Sequence, residues 1–354
     1  MTEADMSFYK GRKVLVTGHT GFKGSWMTKV LLLAGAEVSG YALEPPTEPS
    51  LFKQMNLAKD MNSLEGDVRD LDHLKKVFKE IKPEVVIHMA AQPLVRDSYK
   101  KPVHTYETNV MGTVNLLECI RISDSVRSVV NVTTDKVYRN EEREEGYRED
   151  EYLDGYDPYS NSKSCSELVT GSYRNSFLQE QGIAVSTMRA GNVIGGGDYA
   201  ADRIVPDCMR AAEAGRHITV RNPGSIRPYQ HVLEPVMAYL MVAARQFDCF
   251  ELSGSYNVGP EDCDCVSTGT LAELFCELWE EKTGKHICWL AQSTSGPHEA
   301  NFLKLNCGKI KDTFGWKPHW HIRDALKDCV DFKNRTEAAG IYIEQQIRKY
   351  AAPE

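Results

Sequence analysis

KVLVTGHTGFKG, residues 13–24, opens with a short apolar run, Lys13–Thr17, and closes on three glycines spaced by three, Gly18, Gly21 and Gly24. The β-branched run has the composition of a strand buried on both faces of a parallel sheet. A helical pattern follows over Ser25–Ala34, so the glycines occupy a strand-to-helix turn. In that setting the chain can approach a pyrophosphate closely, and the helix N-terminus offers free amides and a positive dipole end. Gly18, His19, Thr20, Gly21, Phe22, Lys23 and Gly24 are therefore expected to hold a dinucleotide.

Further apolar strands are predicted at Glu37–Tyr41, Glu84–Met89, Ser128–Val132 and Ala184–Met188. Helical periodicity separates them at Leu71–Lys79 and Val103–Ile122, and the proline-rich Glu44–Pro49 reads as a loop. This alternation predicts an α/β fold: a Rossmann-like doubly wound parallel sheet. Ligands in such sheets bind beyond the carboxyl ends of the strands, where Gly18, Ala90, Thr134 and Ala190 fall. After residue 189 the pattern loosens, although Glu234–Arg245 reads as a helix and Ser255–Val258 as a strand. The expected division is a dinucleotide-binding Rossmann domain of residues 1–188 plus about 229–259. A smaller, mixed α/β C-terminal substrate domain takes about 189–228 plus 260–354.

The stretch from Thr133 to Lys163 carries the chemistry. Pro158 suits a helix start, and Tyr159 and Lys163, four apart, share one helix face. A phenol loses its proton near ~10, and an adjacent ammonium brings that value toward neutrality. Such a phenolate takes a proton from an alcohol as hydride leaves the same carbon. Thr134, Asp135 and Lys136, at a strand end, add an acid and a possible base that a simple alcohol oxidoreductase does not need. For the cofactor, NAD is preferred because no Arg directly follows the second strand. Glu44 comes late for the ribose hydroxyls, and His19 and Lys23 stand where an extra phosphate would leave NADP open. Asp67 and Val68, after Gly66, are candidate adenine-edge contacts.

The 354 residues, with 42% hydrophobic and 26% charged, describe an ordinary globular chain of one large or two associated domains. A net charge of −8 argues against nucleic acid as partner. No apolar run approaches membrane-spanning length, and Met1–Lys13 lacks the apolar core of a secretion signal. The ten scattered cysteines then read as reduced thiols of a cytoplasmic protein. Cys263 and Cys265 are too closely spaced for a zinc knuckle, and no metal is expected.

Thr17-Gly18-x-x-Gly21-x-x-Gly24, His88–Ala91, Asn109, Thr134–Lys136 and Tyr159-x-x-x-Lys163 together resemble the extended short-chain dehydrogenase/reductase family. The resemblance spans nearly the whole chain. TGHTGFKGSW (17–26), AAQPLVRDSY (90–99), TTDKVY (133–138), AGNVIGGGD (190–198), IRPYQHVLEP (226–235) and FLKLN (302–306) look like the nucleotide-sugar 4,6-dehydratases within it. In that family, epimerases carry small hydroxyl residues where Asp135 and Lys136 stand, and dTDP- and GDP-linked dehydratases carry Asp-Glu. Asp-Lys is similar to the CDP-linked branch.

The resemblance implies an NAD-dependent lyase that oxidises a sugar at C4, eliminates water across C5–C6 and returns hydride to C6. Thr134, Asp135, Lys136, Tyr159 and Lys163 would be catalytic. Ala90, Ala91 and Asn109, with Tyr159 and Lys163, would meet the cofactor. Arg227, as a bidentate diphosphate ligand, joins Arg203 and Asn192 at the substrate. Gln92 and Arg96 follow a strand end and are placed beside them. Roles within the pair stay open: Asp135 acid with Lys136 base, the reverse, or Lys136 as a cation for the enolate. A homodimer or homotetramer is expected through the helices at Val103–Ile122 and Tyr159. The expected pathway is deoxysugar supply, for lipopolysaccharide or O-antigen. His298 and Glu299 read as a turn. The competing functions are a nucleotide-sugar 4-epimerase, a 4,6-dehydratase of dTDP, UDP or GDP sugars, and a non-catalytic dinucleotide-sensing scaffold.

Overall fold

The structure is a computed structural model that describes residues 3–292 and 302–352. Seven parallel strands form the central sheet: β1 Lys13–Thr17, β2 Glu37–Ala42, β3 Asn62–Glu65, β4 Val85–His88, β5 Ser128–Val132, β6 Ala184–Ala190 and, after further elements, β10 Ser255–Val258. Their spatial order is β10-β6-β5-β4-β1-β2-β3. β1 is flanked in register by both β2 and β4, with Val14 opposite Val38 and Val85. The strand order reverses there, opening the crevice at which such sheets take ligands.

The strands are apolar because both faces are covered. Val14, Val16, Val85 and Ile87 point into one core, shared with helices Phe22–Leu33, Leu233–Gln246 and Ala339–Ala351. Their neighbours Leu15 and Val86 point the other way, against Leu74, Phe78, Leu117 and Ile120 of helices Leu71–Ile81 and Gly112–Arg121. The period-two alternation thus feeds two cores. Each fully buried aliphatic side chain contributes about 1.5–3 kcal/mol.

The long helix expected over Val103–Ile122 is interrupted. Helix Pro102–Tyr106 passes into a π-type segment, Glu107–Met111, before Gly112–Arg121 resumes. The physical reason is Asn109, whose side chain accepts from Gln92 N and donates to Gln92 O and Ser162 Oγ. Thr113 Oγ1 donates to the Asn109 carbonyl at 2.7 Å. Tertiary bonds hold the widened turn open, as π-segments at functional sites often require.

The second core gathers Ile194, Val205, Phe275 and Leu326. It lies against a sheet of β7 Asn192–Ile194, β9 Ile226–His231 and β11 Cys265–Ser267, with a two-stranded ribbon of β8 Ile218–Val220 and β12 Trp289–Ala291 nearby. The chain crosses between cores more often than the expected division allows. Residues 229–231 belong to β9 of the small sheet. Leu303–Trp316 and the helix Ala339–Ala351 rejoin the first core, since Tyr342, Ile343, Ile347 and Tyr350 form an apolar stripe there. All ten cysteines are free thiols. No helix among the described residues is long and apolar enough to cross a membrane.

Candidate active site

The carboxyl ends of β1, β4, β5 and β6 open onto a cleft of about 2140 Å³. It is lined by Gly18, Thr20, Gly21, Phe22, Lys23 and Gly24, and by Asp67, Val68, Ala90, Ala91, Gln92 and Arg96. Thr134, Lys136, Tyr159, Lys163, Asn192, Arg203 and Arg227 line the same space. The glycine turn suits a dinucleotide. Gly18 has φ +76°, and a Cβ there would stand 2.7 Å from Ala90 N; at Gly24 it would stand 2.2 Å from Gly18 O. The cradle therefore exists only with glycine at both places.

The His19 side chain is placed differently from expectation. His19 is fully buried beneath Gly40, with Nε2 2.8 Å from Ser63 Oγ. Burial pushes its imidazole down to about 4, so its side chain cannot meet a phosphate. Lys23 lines the cleft, and its Nζ donates to Tyr239 Oη at 3.4 Å. Burial brings this amine down to about 7, and Arg203 and Lys163 act in the same direction. The end of the cleft beyond β2 is lined by Ala42, Leu43, Glu44, Pro46, Thr47 and Glu48. No cation among them suits the extra phosphate of NADP, and the acidic side chains suit ribose hydroxyls. Asp67 also faces the cleft. Its carboxylate is held below its usual range because the Arg69 guanidinium bonds it.

Tyr159 and Lys163 belong to helix Pro158–Tyr173, whose N-terminus is capped by Asp157 accepting from Ser160 N at 3.0 Å. Lys163 Nζ donates to Val132 O at 3.1 Å, fixing it at the end of β5. Burial raises the Tyr159 phenol to about 12. Burial also lowers Lys163 to about 8, against the pull of Glu167. Both charged forms are thus disfavoured until something enters the cleft.

β5 ends in a one-turn 3-10 segment, Asp135–Val137, capped by Thr134. Thr134 Oγ1 donates to Asp135 Oδ1 at 2.8 Å, and Lys136 Nζ donates to the same oxygen at 2.7 Å. Lys136 Nζ also reaches Asn192 Oδ1 at 3.1 Å. Asp135 is fully buried and its Oδ2 has no hydrogen-bond partner, while Lys136 stays 27% exposed toward the cleft. The ion pair therefore has a sealed half and an accessible half.

Behind the two sites lies a network that sequence reasoning missed. Glu167, one turn beyond Lys163, accepts from Thr133 Oγ1, from Thr187 Oγ1 at 2.6 Å and from Arg189 Nη2 at 2.9 Å. Its spacing of four from Lys163 was the available signal. Two expected contacts resolve differently. Gln92 folds its amide onto its own turn, bonding Leu94 and Thr105, so its side chain is committed away from a substrate. Asn109 spends both amide protons on Gln92 and Ser162, which makes it a brace for the cleft wall rather than a cofactor ligand. Arg203 faces the cleft but is anchored by Asp198 at 3.0 Å. Arg227 sits on β9 and is largely buried. Away from the cleft, His321 joins Cys263 and Asp264 in a cluster whose candidate ligand atoms lie within 4.8 Å. The carboxylate there is already engaged by His321 Nδ1 and Ile322 N. His298 and Glu299 lie outside the described residues.

The sequence profile of the GDP-mannose 4,6 dehydratase family matches residues 15–329. A CDP-glucose 4,6-dehydratase of Salmonella typhimurium is 48% identical over 98% of this chain and 98% of its own length. Among solved structures, a UDP-glucose 4-epimerase of Thermus thermophilus in complex with NAD superposes with a TM-score of 0.79 at 26% identity. That match covers 92% of this chain and 99% of the epimerase. A dTDP-glucose 4,6-dehydratase of Bacillus anthracis, also in complex with NAD, shares the fold at TM-score 0.76 and 23% identity, over 92% and 98% of the two chains.

Proposed function

Because this chain belongs to the GDP-mannose 4,6 dehydratase family, we propose that it is an NAD-dependent hydro-lyase acting on CDP-D-glucose. The product is CDP-4-dehydro-6-deoxy-D-glucose. The observation that carries this reading is the Asp135–Lys136 pair, 2.7 Å apart and one residue from Thr134, in the cleft that holds Tyr159 and Lys163. The 48% identity to a CDP-glucose 4,6-dehydratase supports the nucleotide.

The Gly18–Gly24 turn would hold NAD, which when bound would supply the hydride acceptor and donor for this chemistry. Tyr159, as phenolate, takes the proton of the sugar 4-hydroxyl. Lys163 stabilises the phenolate, and Thr134 orients the hydroxyl. Once C4 is a ketone, the C5 proton becomes acidic enough to remove. Asp135 and Lys136 together serve the removal of the C5 proton and the protonation of the departing 6-hydroxyl, with Lys136 the member that faces the cleft. Arg203 and Arg227 ground the diphosphate through charge-assisted bonds.

Incubation with CDP-, dTDP-, UDP- and GDP-glucose, read by NMR of the products, tests the reading. The expected result is a water-depleted 4-keto product from CDP-glucose. CDP-galactose formed without loss of water would instead make the chain an epimerase. Val103 and Met111, near Asn109, and Leu168 on helix Pro158–Tyr173 are 69%, 50% and 61% exposed. They supply an apolar surface for a homodimer, which sedimentation would detect. A cytoplasmic location and a product destined for O-antigen deoxysugars complete the proposal.

A further inference from the structure

Lys136 is the member of the pair that reaches the cleft, and a flexible four-carbon stem fixes no position by itself. An ammonium carries three N–H donors and no acceptor. Two of the three are spent inside the protein, one on Asp135 Oδ1 at 2.7 Å and one on Asn192 Oδ1 at 3.1 Å. The side chain still lines the cleft and is 27% exposed. The third donor is thereby left for a group that enters the cleft.

The two acceptors come from different parts of the fold. Asp135 follows β5 of the central sheet, and Asn192 opens β7 of the three-stranded sheet. Gly191, between β6 and β7, sets where Asn192 stands. A Cβ on Gly191 would lie 2.6 Å from Pro228 Cγ and 2.7 Å from Pro228 O. Glycine there lets β7 run in register beside β9, with Asn192 opposite Tyr229. Because a charged lysine only donates, the Asn192 amide must turn its oxygen toward it. On the other side Asp135 is fully buried, and its Oδ1 also accepts from Thr134 Oγ1 at 2.8 Å. Asp135 anchors the amine, and Asn192 draws it across the cleft toward the small sheet.

We propose that Asn192 is a positioning residue for the elimination of water, acting through Lys136 by holding its amine where the sugar's C5–C6 edge must lie. This goes beyond the substrate contact that family resemblance implies for Asn192. It also makes the elimination depend on both sheets at once, since the amine is clamped between a turn of one and a strand of the other. The alcohol oxidation is held separately, with Lys163 Nζ fixed by Val132 O at 3.1 Å. Loss of the Asn192 oxygen should therefore spare C4 oxidation and slow the later step. A misplacement of about 1 Å can cost about 10²-fold in rate.

The role rests on the dehydratase reading, and the experiment separates the two. NAD-loaded wild type, Asn192→Leu, Asn192→Ala and Asn192→Asp, each checked for folding by circular dichroism, are mixed with CDP-glucose. Absorbance of enzyme-bound NADH follows C4 oxidation, and quenched samples give the dehydrated product. Leu and Ala are expected to oxidise C4 near the wild-type rate but to form product about 10–100-fold more slowly, so bound NADH accumulates. Asp, which keeps an acceptor oxygen, is expected to form product without that accumulation. In a Lys136→Ala background Asn192→Leu is expected to add nothing, because the amine it acts through is gone. A raised KM with an unchanged product rate and no NADH accumulation overturns the positioning role. So does an equal loss in the Lys136→Ala background. If wild type gives no dehydrated product from CDP-, dTDP-, UDP- or GDP-glucose, the dehydratase reading falls and the role falls with it.

Discussion

Tyr159 and Lys163 stand on a 16-residue helix, whereas Asp135 and Lys136 stand on a three-residue turn at a strand end. The first pair is set by helical geometry, with four residues bringing the two side chains to one face. The second pair joins adjacent residues, which no periodic element brings face to face. It forms because Thr134 caps the turn and Asn192 receives the other side of the lysine. On the proposed function this is a division of labour: the regular element would carry the alcohol oxidation, and the irregular element the elimination of water.

Substitution of each half-site should separate the steps. Lys136→Ala is expected to lower turnover by about 10²–10⁴ while still permitting C4 oxidation, so NADH absorbance accumulates on the enzyme. Tyr159→Phe is expected to lower turnover by about the same factor without that absorbance. Normal turnover of Lys136→Ala would erase the distinction between the halves.

Glu167 ties the halves together through Thr133, Thr187 and Arg189. Removing one partner of a buried pair costs about 3–5 kcal/mol. Glu167→Ala should therefore show a large loss in urea unfolding, and a loss under 1 kcal/mol would mean the halves stand independently. Arg203 belongs to neither half. Its Lys replacement should raise KM about tenfold and leave kcat nearly unchanged, as loss of a bidentate anion contact would.

The smallest effect concerns Lys23, which burial brings from 10.5 to about 7. Between those values the unfolded chain binds a proton that the folded chain does not, so stability rises with pH through that window. Lys23→Met should be more stable than wild type at neutral pH, with the difference shrinking toward the upper end. A pH-independent difference in melting temperature would mean that Lys23 keeps its proton in the fold.

Much of this was readable in the chain because local rules and tertiary structure agree. The strand–glycine–helix order of Lys13–Gly24 sets the cofactor turn, and the Tyr159–Lys163 spacing sets the redox pair. Other features escaped because a distant contact decides them. The apolar pattern of Val110 to Ile120 continues through the π-segment, and only the bonds of Asn109 to Gln92 and Ser162 reveal the break. Lys23 and His19 look alike as loop cations. Ser63, remote in sequence, holds the buried His19 ring, whereas Lys23 stays on the cleft wall beside Tyr239. Arg189, just past the expected end of its strand, is buried against Glu167, a pairing that no local spacing announces.

CDP-glucose carrying deuterium at C4 tests the sequential use of the two half-sites most directly. Internal redox dehydration predicts deuterium at C6 of the product, with solvent hydrogen entering at C5. Loss of the C4 label to water would contradict it.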